Sequence, residues 1–220
     1  KIWLTVATTY MQISSLGIGK GFEKGDGVKL TLNGDVDGLS DVFVNKEEDG
    51  KISTNTVIID KTDNAITVTG IIGKTITIWD KELKVERKVP DMAFITECNN
   101  RLWGCSKDGH EIYCCKLGDA KNWNCFAGIS TDSWAATIGS DGKFTGAITY
   151  LGYPMFFKEN CLIKISVSAT GGHQTKETRC RGVQSGSSGS LAILNEILYY
   201  KSSTGICGYN GSLPYSISDE

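Results

Sequence analysis

An all-β chain built from repeated four-stranded units is what the sequence predicts, on three observations. Its 26 glycines stand beside only 3 prolines, in a chain rich in Thr, Ile, Val and Tyr, the composition of strands joined by glycine turns. No window carries a sustained period near 3.6 with helix caps. One strand–turn–strand pattern occurs three times after Pro90.

The N-terminal run KIWLTVATTYMQISSLGI (1–18) reads as one strand or two, with Trp3, Val6 and Tyr10 as apolar anchors. From Gly19 to about Gly73 the chain turns glycine-rich and charged, and short runs alternate. Val28, Leu30 and Leu32 stand against Lys29, Thr31 and Asn33, and Ile66 and Val68 against Thr67 and Thr69. Period-two alternation marks strands with one wet face. The turns KGDG (24–27), EEDG (47–50) and KTDN (61–64) fall at hairpin spacing. Residues 19–75 therefore read as a small β-barrel or sandwich inserted into a body formed by 1–18 and 76–220.

The body opens with an alternating pair over 75–90, Ile76 and Ile78 followed by Leu83 and Val85, and then the repeat begins. MAFIT (92–96) leads into RLWGC (101–105) and returns as IYCCKL (112–117). GAIT (146–149) leads into MFFK (155–158) and returns as LIKI (162–165). SLAIL (190–194) leads into ILYYKS (197–202) and returns as ICGY (206–209). Trp103, Phe156 and Tyr199 take corresponding places as repeat anchors. A fourth run closes each unit: NWNCF (122–126), ETRCRG (177–182) and LPYSIS (213–218). Four strands at a period of roughly 40–50 residues is the signature of propeller blades, here near 91–128, 146–182 and 190–218. Three blades do not close a ring, since propellers need at least about four. With Lys1 where an initiator Met would stand, the chain reads as an excised segment of a longer protein.

Composition excludes several classes. With 25 acidic and 23 basic residues and a formal charge of −2, there is no electrostatic reason for a nucleic-acid partner. No apolar run approaches the roughly 20 residues of a membrane span, and no signal peptide opens the chain. Cys98, Cys105, Cys114, Cys115 and Cys125 with His110 offer zinc-type ligands, but no C-x-x-C pair exists among them. Adjacent Cys114 and Cys115 point to opposite faces of a strand, so the expectation is reduced, buried thiols and no metal.

The loop NGDVDGLSDVFV (33–44) spaces its acids like a calcium loop, but Val44 stands where the bidentate Glu belongs. SKDGHEIY (106–113) resembles the turn-stabilising Asp-box of sialidase-like propellers without its Gly and Trp spacing. No paired carboxylates can be nominated beside Arg87, Arg101, Arg179 and Arg181. His110 in a turn and His173 in the GGHQ loop have no assignable nucleophile, and no nucleophile elbow or phosphate loop appears. The expectation is a non-enzymatic chain without a cofactor. Trp123, Trp134, Tyr153 and Tyr215 are the candidate interface aromatics.

At PDMAFITECNNRLWGC, KLGDAKNWN, STDSWAATIGSDGKFTGAI, YPMFFKENCLIKI and LYYKSSTGICGYNGS, and more loosely at GKGFEKGDGVKLTLNG, the chain resembles virion proteins of tailed bacteriophages and prophages. These are similar to the tail nozzle, or tail tubular, proteins of short-tailed phages. The resemblance implies a β-propeller-like body with an inserted barrel, other tail subunits as partners, and a ring oligomer of the full-length protein. It also implies a place in the virion after assembly in the bacterial cytoplasm. It carries no catalytic residue. Such proteins are usually several times longer than this chain. The alternative function is a glycan- or surface-polymer-binding propeller module, with a propeller-type hydrolase behind it.

Overall fold

The computed structural model of the chain describes residues 3–6, 9–34, 39, 42–69, 76–78, 82–126, 128–168 and 172–218. It divides into two compact units, Lys1–Val89 with Lys121–Cys125, and Pro90–Ala120 with Phe126–Glu220. Among the described residues the regular structure is all β apart from three short 3-10 turns.

The first unit holds β1 (Trp3–Val6), β2 (Tyr10–Ser14), β3 (Gly27–Leu32), β4 (Asn45–Lys46), β5 (Ile52–Thr62), β6 (Ala65–Thr69), β7 (Ile76–Ile78) and β8 (Leu83–Arg87). They form one eight-stranded sheet in the order β7-β1-β2-β6-β5-β3-β8, with β4 on β5. The N-terminal half of β5 pairs with β3 and its C-terminal half with β6, and a bulge lies between Ile58 and Asp60. Bulges bend a strand and raise its twist, so one long strand serves both halves of the sheet. The alternating apolar residues then meet on one face: Met11, Ile13, Val28, Leu30, Leu32, Ile58, Ile66 and Val68 share a single buried cluster. Asp26, 1% exposed, is held by Arg87 Nε at 3.0 Å.

Two sequence expectations change here. Residues 1–18 and 76–89 belong to this unit, because β1 pairs with β7 and β2 with β6, partners some 60 residues apart that local periodicity cannot reveal. Tyr10, expected to be an anchor, is exposed. Half of the acidic loop over 33–44, Asp35, Asp37 and Asp41 included, lies outside the described residues.

The second unit consists of three antiparallel four-stranded meanders. The first sheet is β9 (Met92–Cys98), β10 (Arg101–Ser106), β11 (Glu111–Cys114) and β12 (Trp134–Thr137). The second is β13 (Gly146–Tyr150), β14 (Tyr153–Lys158), β15 (Cys161–Val167) and β16 (His173–Arg179). The third is β17 (Ala192–Leu194), β18 (Ile197–Ser202), β19 (Gly205–Tyr209) and β20 (Tyr215–Ser216).

Each sheet opens on a two-residue hairpin turn with both residues at positive φ: Asn99 (52°) and Asn100 (60°), Leu151 (47°) and Gly152 (78°), Asn195 (49°) and Glu196 (63°). That is the primed turn whose twist matches paired strands, and it sets a common register. Arg101, Tyr153 and Ile197 each follow the turn, so Trp103 corresponds to Met155 and Tyr199. The position that ends the second strand is buried and polar in all three sheets, as Ser106, Lys158 and Ser202. Ser106 Oγ accepts from the Glu111 N–H at 2.9 Å and Ser202 Oγ donates to the Gly205 carbonyl at 2.9 Å, closing the next turn.

This register corrects Phe156 as an equivalent of Trp103. Phe156 corresponds to Gly104 and Tyr200, and a slip of one residue places a side chain on the other face. Trp103 of the first sheet and Phe156 of the second point toward each other in one core, with Cys105, Cys114, Ile163 and Ile165. Met155, Phe157 and Leu162 face the other way and meet Leu198, Tyr200, Cys207 and Tyr209 of the third sheet in a second core. The second sheet is thus covered on both faces. Hydrogen bonds tie the layers, from Tyr150 OH to the Glu196 carbonyl (2.5 Å) and from Tyr200 OH to the Arg181 carbonyl (2.6 Å).

The fourth strands also differ from the reading of the sequence. NWNCF (122–126) is not the fourth strand of the first sheet. That place is taken by β12, on the far side of a loop, while 121–125 joins the first unit. The fourth strand of the second sheet begins earlier, at His173. No helix among the described residues is long and apolar enough to cross a membrane.

Candidate functional site

Two places in the second unit carry side chains whose surroundings call for a partner. The first is the outer face of the third sheet. Leu198 and Tyr200 point to the second sheet, so strand alternation turns Ile197, Tyr199 and Lys201 outward. Cross-strand register adds Leu194 opposite Ile197, Ile206 opposite Lys201 and Tyr215 opposite Gly208. The side chains of Tyr215 and Ile217 lie over Gly208, where a Cβ would meet them at 2.8–3.0 Å. Leu194, Ile206, Tyr215 and Ile217 are between 42 and 62% exposed, an apolar face with one lysine on it.

The second place is a cleft between the first and second sheets. Arg101 begins β10, directly after the Asn99–Asn100 turn, and this position carries it inside the unit at 5% exposure. Its guanidinium donates to three main-chain carbonyls, Cys115 at 2.7 Å, Asp132 at 2.6 Å and Ser130 at 2.6 Å. It forms no ion pair among the described residues. The Asp132 carboxylate accepts from the N–H groups of Gly128 (2.6 Å) and Ile129 (3.1 Å) in its own turn.

His173, expected in a loop, begins β16. It sets its ring edge-on to Trp103 (centroids 5.0 Å apart) and Trp134 (5.6 Å). Burial holds the imidazole below the usual histidine range, and the Arg101 charge pushes the same way. Its Nδ1 is buried without a hydrogen-bond partner. A cavity of about 450 Å³ is lined by both groups together with Asn99, Trp103, Leu151 and Tyr153.

The structure separates the four candidate interface aromatics. Trp123 is buried in the first unit, and Trp134 is half-buried against Trp103 and His173. Tyr153 is 38% exposed at the cavity, with Lys164 Nζ 3.7 Å from its ring centre, and Tyr215 is exposed on the outer face. Of the repeat anchors, Trp103 and Phe156 are buried, and Tyr199 is half-buried.

Cys98, Cys105, Cys114, Cys115, Cys161, Cys180 and Cys207 form no disulfide. Burial pushes the Cys105 thiol up to about 12 and the Cys114 thiol up to about 11, which describes inert core groups. His110 sits in the turn after β10, where its N–H donates to Asp108 Oδ1 at 3.0 Å and Ser106 Oγ at 3.2 Å. The SKDG acid and hydroxyl close a turn. Among the described residues no group of three or more His, Cys, Asp or Glu side chains is placed to hold a metal. Arg101 was one arginine among four in the sequence, and its position after a hairpin turn and before an apolar strand was the only sign of burial. No protein-family description and no curated protein matches the chain.

Proposed function

We propose that this chain is a non-enzymatic structural protein of a tailed-phage virion, a tail nozzle or tail-associated component, and that it acts through sheet-face interfaces between subunits. The observation that carries the reading is the uncovered apolar outer face of the third sheet. In the stack, Met155 and Phe157 of the second sheet are covered by the third sheet, and their register equivalents on the third sheet are Tyr199 and Lys201. The occupant this face fits is a further four-stranded sheet of the same kind, contributed by a neighbouring subunit. A ring then closes by adding sheets, as propeller architecture requires. Contiguous exposed apolar faces on soluble domains mark interaction surfaces, and tyrosine is among the residues enriched in interface cores.

Light scattering and negative-stain microscopy of the full-length protein, alone and beside its neighbouring gene products, test this. Ring assemblies that dissociate with Ile206→Asp while the fold persists are the expected result. A monodisperse monomer under all these conditions defeats the reading.

A further inference from the structure

We propose that the cleft between the first and second sheets is a binding site for a carboxylated sugar, free or as a unit of an acidic polysaccharide, with Arg101 and His173 taking the carboxylate. A guanidinium withdrawn from water keeps its full charge, and three carbonyl dipoles compensate it only in part. A buried charge without a counter-ion is costly, and Arg101 is 95% buried with no carboxylate in ion-pair contact among the described residues. The second, independent sign is the His173 Nδ1, also buried and without a hydrogen-bond partner. Buried polar groups are otherwise almost always satisfied. Both side chains line the same cavity of about 450 Å³, within the size range of small-molecule sites.

The remaining walls decide what the carboxylate is attached to. The exposed edges of Tyr153 and Leu151 offer apolar surface with the buried Trp103 behind them, and the Asn99 side-chain amide supplies a donor and an acceptor at the rim. Apolar patches interleaved with single hydrogen-bonding groups fit a sugar ring, with one apolar face and hydroxyls around its edge, better than a simple fatty or aromatic acid. Lys164 Nζ lies over the Tyr153 ring, 3.7 Å from its centre. The site is independent of the assembly reading, since it lies between two sheets of one chain.

Titration of the isotopically labelled chain with glucuronate, oligoglucuronate and uncharged glucose tests the proposal by NMR. The indole signals of Trp103 and Trp134 and the ring signals of His173 are expected to shift with glucuronate or its oligomer, with glucose at least tenfold weaker. His173→Phe keeps an aromatic ring against the two tryptophans and is expected to weaken glucuronate about tenfold, or 1.4 kcal/mol. Arg101 also ties three carbonyls, so Arg101→Gln is read only if it folds, whereas Tyr153→Ala, on an exposed residue, is expected to fold and to lose affinity. No shift with either acid at about 10 mM, ten times a millimolar Kd, overturns the proposal. Equal affinity for glucose overturns it as well, and so does full affinity in His173→Phe.

Discussion

Replacing Phe156 by alanine, beside the same change at Tyr199, separates a side chain locked between two sheets from one on an uncovered face. Phe156 is fully buried in the core that also holds Trp103, Cys105 and Ile163, and its ring meets Phe144 edge-on with centroids 6.0 Å apart. Truncating such a phenylalanine removes its transfer free energy and leaves a cavity, about 3–5 kcal/mol together. For a unit of this size each kcal/mol moves Tm by about 4 °C, so a fall of roughly 12–20 °C is expected. Tyr199 faces away from the second sheet and is half-buried, and its truncation is expected to cost about 1 kcal/mol or less in the isolated chain.

Urea unfolding followed by tryptophan fluorescence reads both changes, because Trp103 lies in the same core as Phe156. An unchanged m-value would attribute the shift to stability alone. Equal costs at the two positions, or a Phe156→Ala variant within about 1 kcal/mol of wild type, would refute the assigned register and with it the face-to-face stacking.

Gly182→Ala is expected to abolish the native fold of the second unit, since a Cβ there would stand 1.8 Å from the Lys158 carbonyl oxygen. Gly189→Ala, with open space around it, is expected to be tolerated, and circular dichroism melts compare the two. The thiols of Cys105 and Cys114, raised to about 12 and about 11, are expected to stay unmodified by a thiol-disulfide reagent at pH 8 and to react on unfolding. Mass mapping of the labelled peptides checks this, and rapid native labelling at either position refutes it. His173 titrates below its usual value when folded, so the unfolded chain binds the extra proton first. Its contribution is therefore complete above about pH 6.5 and is lost as pH falls through the lower folded value. The urea midpoint is expected to drop between pH 7 and pH 5 in wild type, and less in His173→Phe.

The parts of the fold that were legible in the sequence are those held by local pairing. The three hairpin units, whose repeat begins after Pro90, and the turns at 24–27 and 61–64 all follow from alternation and turn chemistry within some 15 residues. What escaped was non-local or one residue out of phase. The 1–18 run shows only that it is a strand, and nothing in it announces β6 and β7 as partners. Phe156 drew attention because it is aromatic, but the primed turn counts register from Gly152, and that count gives Met155. NWNCF has the look of a strand but lies in no strand, while WAAT, the true β12, is too short and too small in side chain to stand out. Cys98, Cys105 and Cys114 lie in β9, β10 and β11, whereas Cys115 and Cys125 fall outside the strands. The cleft was hidden because its two key groups, Arg101 and His173, lie 72 positions apart and meet only when two sheets stack.

The double covering of the second sheet has a consequence for the order in which the unit comes apart. In a stacked array each layer draws its stability from its own strands and from its contacts with neighbours. Among the described residues of the unit the second sheet has two such neighbours and strands of five to seven residues, whereas the third packs on one sheet and ends in a strand of two. Opening therefore begins at the third sheet, and amide protons there exchange through fluctuations smaller than global unfolding. The surface proposed for assembly would thus belong to the layer expected to open first when the chain is alone, and a subunit docking on it would tighten the same strands that it binds.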